Sequence, residues 1–225
     1  MISALQKTGI SLLIGSYLAG CAAVASAPSA GSAPEVLNCS ASFDAAPAFT
    51  LKERFSLVPT YDATVDGCPA AVLTAEIFNL TAKYRLADPS GEPLGSIELD
   101  LLSLGYDAHV YGPDGTLEAV ADHKVMESLG NWGGLYIEVK EPDGNVAAVV
   151  RQDAFSFFTS GTPRHFDVLS PDEKTVVATV DYRWPTLLDT YDVRVTDQRI
   201  SNRSLAGLTV ILDHVLDAAE SDDDE

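Results

Sequence analysis

From Phe49 onward the chain alternates apolar and polar residues in short runs, and turn-forming residues interrupt the runs at near-regular distances. The interruptions are Val65-Asp66-Gly67, Asp88-Pro89-Ser90-Gly91, Pro113-Asp114-Gly115, Pro142-Asp143-Gly144 and Ser170-Pro171-Asp172-Glu173. Gly67 to Gly91 and Gly91 to Gly115 are each 24 residues, and Gly115 to Gly144 and Gly144 to Glu173 are each 29. Proline presets φ and glycine accepts φ > 0, so these sequences predict hairpin turns. The flanks agree: Leu135-Tyr136-Ile137-Glu138-Val139 faces Val146–Val150, and His165–Val168 faces Thr175–Val180. Five hairpins make ten strands, and Phe49–Phe55 and Tyr191–Val195 supply two more. Regularly spaced short strands of this kind predict a closed antiparallel barrel or a sandwich.

The period then changes. Ser204–Ala219 has no polar side along its first half and contains no proline, and Asn202 or Ser204 is placed to cap it. A helix apolar all round is buried or in a membrane. Only about eight apolar or near-apolar residues precede Asp213 and His214, too few to span a bilayer. At 1.5 Å per residue the segment is about 24 Å long, which fits the inside of a small domain. The pattern predicts a mainly β fold wrapped around its own C-terminal helix.

Several short motifs then become specific in their order: Lys52-Glu53-Arg54-Phe55-Ser56, Tyr84-Arg85-Leu86-Ala87-Asp88 with Gly91, Asp189-Thr190-Tyr191-Asp192-Val193, and the closing Leu205–Asp213 segment. With the turn spacing, they resemble the LURP-one-related family of the tubby C-terminal-like superfamily, which includes phospholipid scramblases. The resemblance runs from Phe49 to Asp217. It implies a twelve-stranded antiparallel barrel closed around a buried hydrophobic helix, with Leu205, Leu208, Ile211, Leu212 and Val215 inside. Tubby domains bind phosphoinositides through a basic surface. Here Arg183, Arg194, Arg199 and Arg203 are interleaved with Asp181, Asp189, Asp192 and Asp197, which leaves that stretch neutral. Scramblase-like proteins carry an acidic calcium segment, but Asp189-Thr190-Tyr191-Asp192 does not reproduce an alternating oxygen-ligand loop, so no calcium site is carried over.

The N-terminus reads as an address. Lys7 is the sole charge in residues 1–20, an apolar stretch runs from Ile10 to Tyr17, and Leu18-Ala19-Gly20-Cys21 follows. A cationic start, a short apolar region and small residues at the cut form a secretory signal. The ending resembles the bacterial lipobox, which implies that Cys21 becomes the lipidated N-terminus and ties the chain to a bilayer. An ordinary signal peptide with a chance cysteine, or an uncleaved anchor, is the alternative. Ala22–Pro34 is uncharged and almost entirely Ala, Ser, Pro and Gly, a flexible tether with a reach of about 20 Å. Ala22 is not the Asp that resemblance to inner-membrane-retained lipoproteins would require, so the expected location is the periplasmic face of the outer membrane in a Gram-negative host, and otherwise the outer leaflet of the plasma membrane. The expected divisions are a signal peptide (1–20), a lipidated cysteine and tether (21–48), a barrel (49–219) and an acidic tail (220–225). Export places Cys39 and Cys68 in an oxidising compartment, where a remaining pair is usually bridged; two unpaired buried thiols are the alternative.

Charge and chemistry narrow the function classes. Against 33 acidic residues stand 14 Lys and Arg, a formal charge of −19, and removal of the leader with its Lys7 makes it −20. Such a surface repels phosphate backbones, so nucleic acid is not an expected partner. His109, His123, His165 and His214 show no metal spacing, and no nucleophile elbow or phosphate loop occurs, so no metal, cofactor or catalytic residue is assigned. Asp122-His123-Lys124 reads as a solvated strand end and Thr159–Thr162 as a hairpin connection. Phe155, Phe157 and Phe158 read as core, and Asp213 and His214 as the point where the helix leaves the barrel. Two functional readings remain. One is a non-enzymatic, membrane-anchored binding or scaffold module that contacts phospholipid or envelope proteins. The other is an envelope enzyme whose site is not visible as a linear motif.

Overall fold

The computed structural model describes residues 42–77, 81–100, 106–126, 134–152, 164–183 and 188–221. The chain divides into units Met1–Val36 and Leu37–Glu225, and the first lies wholly outside the described residues. The second is a closed barrel of twelve antiparallel strands: β1 (Ala48–Glu53), β2 (Thr60–Val65), β3 (Cys68–Ile77), β4 (Thr81–Ala87), β5 (Pro93–Asp100), β6 (Asp107–Tyr111), β7 (Leu117–His123), β8 (Leu135–Lys140), β9 (Val146–Gln152), β10 (Arg164–Leu169), β11 (Val176–Tyr182) and β12 (Thr190–Val195). Each strand pairs with its sequence neighbours, and β12 closes on β1 through Phe49 opposite Val193 and Leu51 opposite Tyr191. Helix α1 (Asn202–Ser221) follows.

The five turns join β2 to β3, β4 to β5, β6 to β7, β8 to β9 and β10 to β11, so all lie at one end of the barrel, the turn end. Four share one construction. The N–H of Gly91, Gly115, Gly144 and Glu173 donates to the carbonyl of Asp88, Gly112, Glu141 and Ser170, at 2.8–3.0 Å. Proline stands second in each, and the fourth residue has φ between 56° and 90°. This is a type I turn followed by a left-handed residue, and it leaves a one-residue bulge beside it. The register indeed shifts at Leu86/Ala87, Val110/Tyr111, Val139/Lys140 and Val168/Leu169. Asp114 and Asp143 each accept the N–H two residues on, at 3.0 Å, which fixes the turn locally.

Alternate residues point inward, among them Leu51, Leu73, Leu86, Ile97, Ile137, Phe166 and Val193, and they meet α1 in one core. Small side chains make room for the helix. α1 lies nearest β6 and β7, whose inward positions include Ala108, Ala119 and Ala121. At the closest approach stands Gly207, where a Cβ would lie 2.6 Å from Val110 Cγ2.

Two expectations change at the helix start. The cap is Ser201, one residue before the two candidates: its Oγ accepts the Ser204 N–H at 3.1 Å and its carbonyl accepts the Leu205 N–H at 3.0 Å. Asn202 does different work, since its Nδ2 donates to the carbonyls of Phe43 (2.6 Å) and Ala46 (2.9 Å). Phe43 and Ala46 are themselves buried, with the Phe43 ring edge-on to Phe49 at 5.1 Å. The segment ahead of residue 49 therefore belongs in part to the folded unit, because Phe43 contributes core area that a solvated tether would leave exposed.

Alanine at position 207 gains about 1 kcal/mol of helix propensity. The contact with Val110 nevertheless makes Gly207→Ala a net loss of about 1–3 kcal/mol by overpacking. Urea denaturation in a Val110→Ala background checks this: there the same substitution turns neutral or stabilising.

Candidate functional site

The end opposite the turns, where odd-numbered strands finish and even-numbered ones begin, gathers polar side chains around the C-terminal half of α1. Asp213 is 5 % exposed. Its Oδ2 accepts the Tyr61 hydroxyl from β2 at 2.5 Å, and its Oδ1 accepts the Tyr191 hydroxyl from β12 at 2.6 Å. One residue on, His214 Nε2 lies 3.2 Å from the Tyr84 hydroxyl of β4. The half-buried ring of Tyr106 stacks with His214 at 6.2 Å and with His123 at 6.5 Å. Tyr182 stacks on Tyr191 at 5.0 Å and donates to Asp189 Oδ1 at 2.6 Å.

These groups are electrostatically perturbed for one shared reason, their removal from water. Burial pushes the Asp213 carboxyl above the usual carboxylate range, while the two tyrosine hydroxyls work in the opposite direction. Burial, joined by the Asp213 charge, moves Tyr61 and Tyr191 far up. Glu53 rises through burial and the nearby Asp189 and Asp213 charges. Burial lowers His214 and His123, opposed in each by its acidic neighbour, Asp213 or Asp122. Clusters of this kind often mark functional sites, but here the polar atoms of Asp213, Tyr61 and Tyr191, and those of His214 and Tyr84, are aimed at one another. Two tyrosines hold one carboxylate and a third holds the imidazole, so the arrangement seats α1 against β2, β4 and β12.

The sequence expectation for Asp213 is therefore corrected. It does not sit where the helix emerges; it is enclosed and satisfied inside, and the half-buried His214 beside it marks the boundary. Asp122-His123-Lys124 also differs from a solvated strand end. Lys140 donates to Asp122 at 2.6 Å, Lys124 pairs with the same carboxylate, and His123 is half-buried beneath Tyr106. Tyr84 and Tyr191 stand in the sequence motifs without an assigned partner, and Tyr61 stands in none of them. Their signal was an inward strand position, where a buried phenol requires a partner.

Leu205, Leu208, Ile211 and Leu212 are fully enclosed and Val215 is 8 % exposed. Cys68 is buried at the start of β3. Cys21 and Cys39 lie outside the described residues, as do Phe155, Phe157, Phe158 and Thr159–Thr162. Among the described residues no group of three His, Cys, Asp or Glu side chains could hold a metal ion. No helix among them is long and apolar enough to cross a membrane.

A cavity of 570 Å³ opens at the turn end beside the start of α1, lined by Glu118, Lys140, Asp143, Arg199, Ser201 and Arg203 among others. Its cations are engaged. Arg203 makes two 2.8 Å bonds to Glu118 and one of 2.6 Å to Asp44, Arg199 pairs with Asp197, and Lys140 with Asp122 and Glu138. On the outer wall His165 bridges Asp181 (Nδ1, 2.5 Å) and Asp167 (Nε2, 3.1 Å), and its bond to Asp181 leads the effects that raise its pKa.

No family model, curated protein or solved structure matches the chain.

The buried and surface histidines oppose each other as pH changes. His214 and His123 resist charging in the fold, so the unfolded chain binds the extra protons and stability falls as pH drops below 6.5. His165 binds its proton more tightly in the fold; its contribution is complete below 6.5 and fades as pH rises through its raised value, weakened by its half-exposed position. His214→Gln should therefore reduce the stability lost between about pH 7 and pH 5, and His165→Gln should increase it, both read from urea midpoints. Tyr191→Phe, which leaves Asp213 one donor, should cost about 1.5–3 kcal/mol in the same assay at neutral pH.

Proposed function

We propose that this chain is an exported lipoprotein whose barrel, of the LURP-one-related or tubby C-terminal-like kind, is a non-enzymatic binding or scaffold module. Acylated Cys21 ties it to the bilayer, and the folded unit contacts phospholipid or envelope proteins from the periplasmic side of the outer membrane. The observation that carries this reading is the occupied interior. The helix places Leu205, Leu208, Ile211 and Leu212 at the centre of the barrel, and the perturbed polar groups around Asp213 bond to one another. A substrate has no place among them, so recognition falls to the outer surface. Strand order and the closing helix support the family reading. The lipobox-like Leu18-Ala19-Gly20-Cys21 and the uncharged tether support the anchor. A Cys39–Cys68 bridge completes the reading and would stabilise the fold by about 3–4 kcal/mol on the chain-entropy model.

Mass spectrometry of the protein from its native membrane tests both covalent features. The expected mature chain begins at Cys21 with acyl groups attached, and reductive alkylation adds label at Cys39 and Cys68 only after reduction. A chain that begins elsewhere, or is unacylated, contradicts the anchor. Cys21→Ser should release the protein from the membrane fraction.

A further inference from the structure

The turn between β2 and β3 is built differently from the other four. Val65 pairs with Cys68, so Asp66 and Gly67 alone make the bend. Both have positive φ, 51° and 78°, the pattern of a two-residue type I′ hairpin. In such a turn the flanking strand residues make the hydrogen bonds, and the two central N–H groups stand outside the ladder. Among the described residues the Gly67 N–H accordingly meets no carbonyl, and the Asp66 carboxylate meets no donor.

Asp-Gly occurs three times in the chain, at Asp66-Gly67, Asp114-Gly115 and Asp143-Gly144. Glycine has no Cβ to shield its nitrogen, so that nitrogen can attack the carboxyl carbon of the preceding aspartate. All six residues are exposed, so access of water does not distinguish the three steps. Hydrogen bonding does. The Gly115 N–H donates to the Gly112 carbonyl at 3.0 Å and the Gly144 N–H to the Glu141 carbonyl at 2.9 Å, which holds both nitrogens in place. Asp114 Oδ1 accepts the Thr116 N–H at 3.0 Å, and its Oδ2 accepts the Thr116 hydroxyl at 2.8 Å. Asp143 is held in the same way, by the Asn145 N–H at 3.0 Å and Nδ2 at 2.7 Å. The Thr116 bonds keep the Asp114 carboxyl below the usual carboxylate range, which depletes the protonated form that ring closure consumes.

We propose that Asp66 is the site at which this protein converts aspartate to isoaspartate, by ring closure onto the Gly67 nitrogen. The Gly67 nitrogen forms a bond to Asp66 Cγ, and the hydroxyl of the protonated carboxyl leaves as water with the amide proton. One water molecule then opens the five-membered succinimide. Cleavage of the nitrogen–Cγ bond restores aspartate. Cleavage of the bond from nitrogen to the Asp66 backbone carbonyl carbon leaves the chain running through Cγ, with that carbonyl now the free carboxylate. One water leaves and one enters, nothing is oxidised or reduced, and solvent supplies the sole co-reactant. The product adds a methylene to the main chain of a turn that has only two residues. The Val65–Cys68 pair depends on that length, so the change falls on the closing pair of the hairpin, next to the bulge at Ala63/Thr64.

The test is ageing of the intact folded chain at neutral pH, then peptide mapping with electron-transfer fragmentation, which separates the two isomers at each position. Isoaspartate should accumulate at position 66 about tenfold or more faster than at 114 or 143, because each protected step must first break bonds on both reacting groups. A second sample aged in guanidinium chloride lacks the fold, and there the three rates should converge. Asn145→Ala changes an exposed residue, removes one bond from Asp143 and should raise conversion at 143 while leaving 66 unaltered. Equal or faster conversion at 114 or 143 in the folded wild-type chain overturns the inference. So does a preference for position 66 that persists undiminished in guanidinium, or a folded chain that stays unconverted at 66 while the unfolded one converts. An unchanged rate at 143 in Asn145→Ala contradicts the protection assigned to these bonds.

Discussion

A sheet of twelve strands closed on itself encloses more space than its own inward side chains can fill, and in this protein α1 fills it. Barrels of about eight strands are plugged by side chains alone, whereas larger ones need a ligand, water or another part of the chain. The rest of the structure follows from that need. Alanines on β6 and β7 and Gly207 on the helix let two backbones approach. The helix start is tied through Asn202 to the chain entering β1, and Arg203 reaches Glu118 on β7 and Asp44 before β1. Its second half is tied through Asp213 to β2 and β12. Both halves of the plug are thus held by polar bonds whose geometry is specific, over an apolar interior that would tolerate sliding.

Such polar ties carry a condition. Asp213 is stable inside because two phenols satisfy it; alone, it would face the cost of an unpaired buried carboxylate. The same bonds explain why perturbed groups cluster here without implying catalysis. Perturbation follows from burial, and burial follows from the helix being inside.

What was legible in the sequence is what is decided locally. A Pro-Asp-Gly turn is specified by its own four residues, so turn positions and strand pairing were readable, and the accompanying bulges repeat because the turns do. The helix was legible because apolar residues on all its sides leave it no exposed face. Phe43 was not, since one aromatic among Ala, Ser and Pro resembles a tether until Asn202 binds the carbonyls around it from 159 residues away. The partners of Asp213 lie 22 and 152 residues distant, and only barrel closure brings Tyr191 and Tyr61 to it. At Ser201 the Oγ was a cap as eligible as its neighbours, and the side-chain bonds of Asn202 to another segment decided between them.

The central claim is that α1 is an inseparable part of the barrel core. Native-state hydrogen exchange of the α1 amides tests it most directly. The account predicts that amides of residues 205–212 exchange only through global unfolding, with the same free energy as the slowest strand amides. Exchange of these amides through a lower-energy opening, with the strands still protected, would show a helix that leaves an intact barrel and would contradict the account.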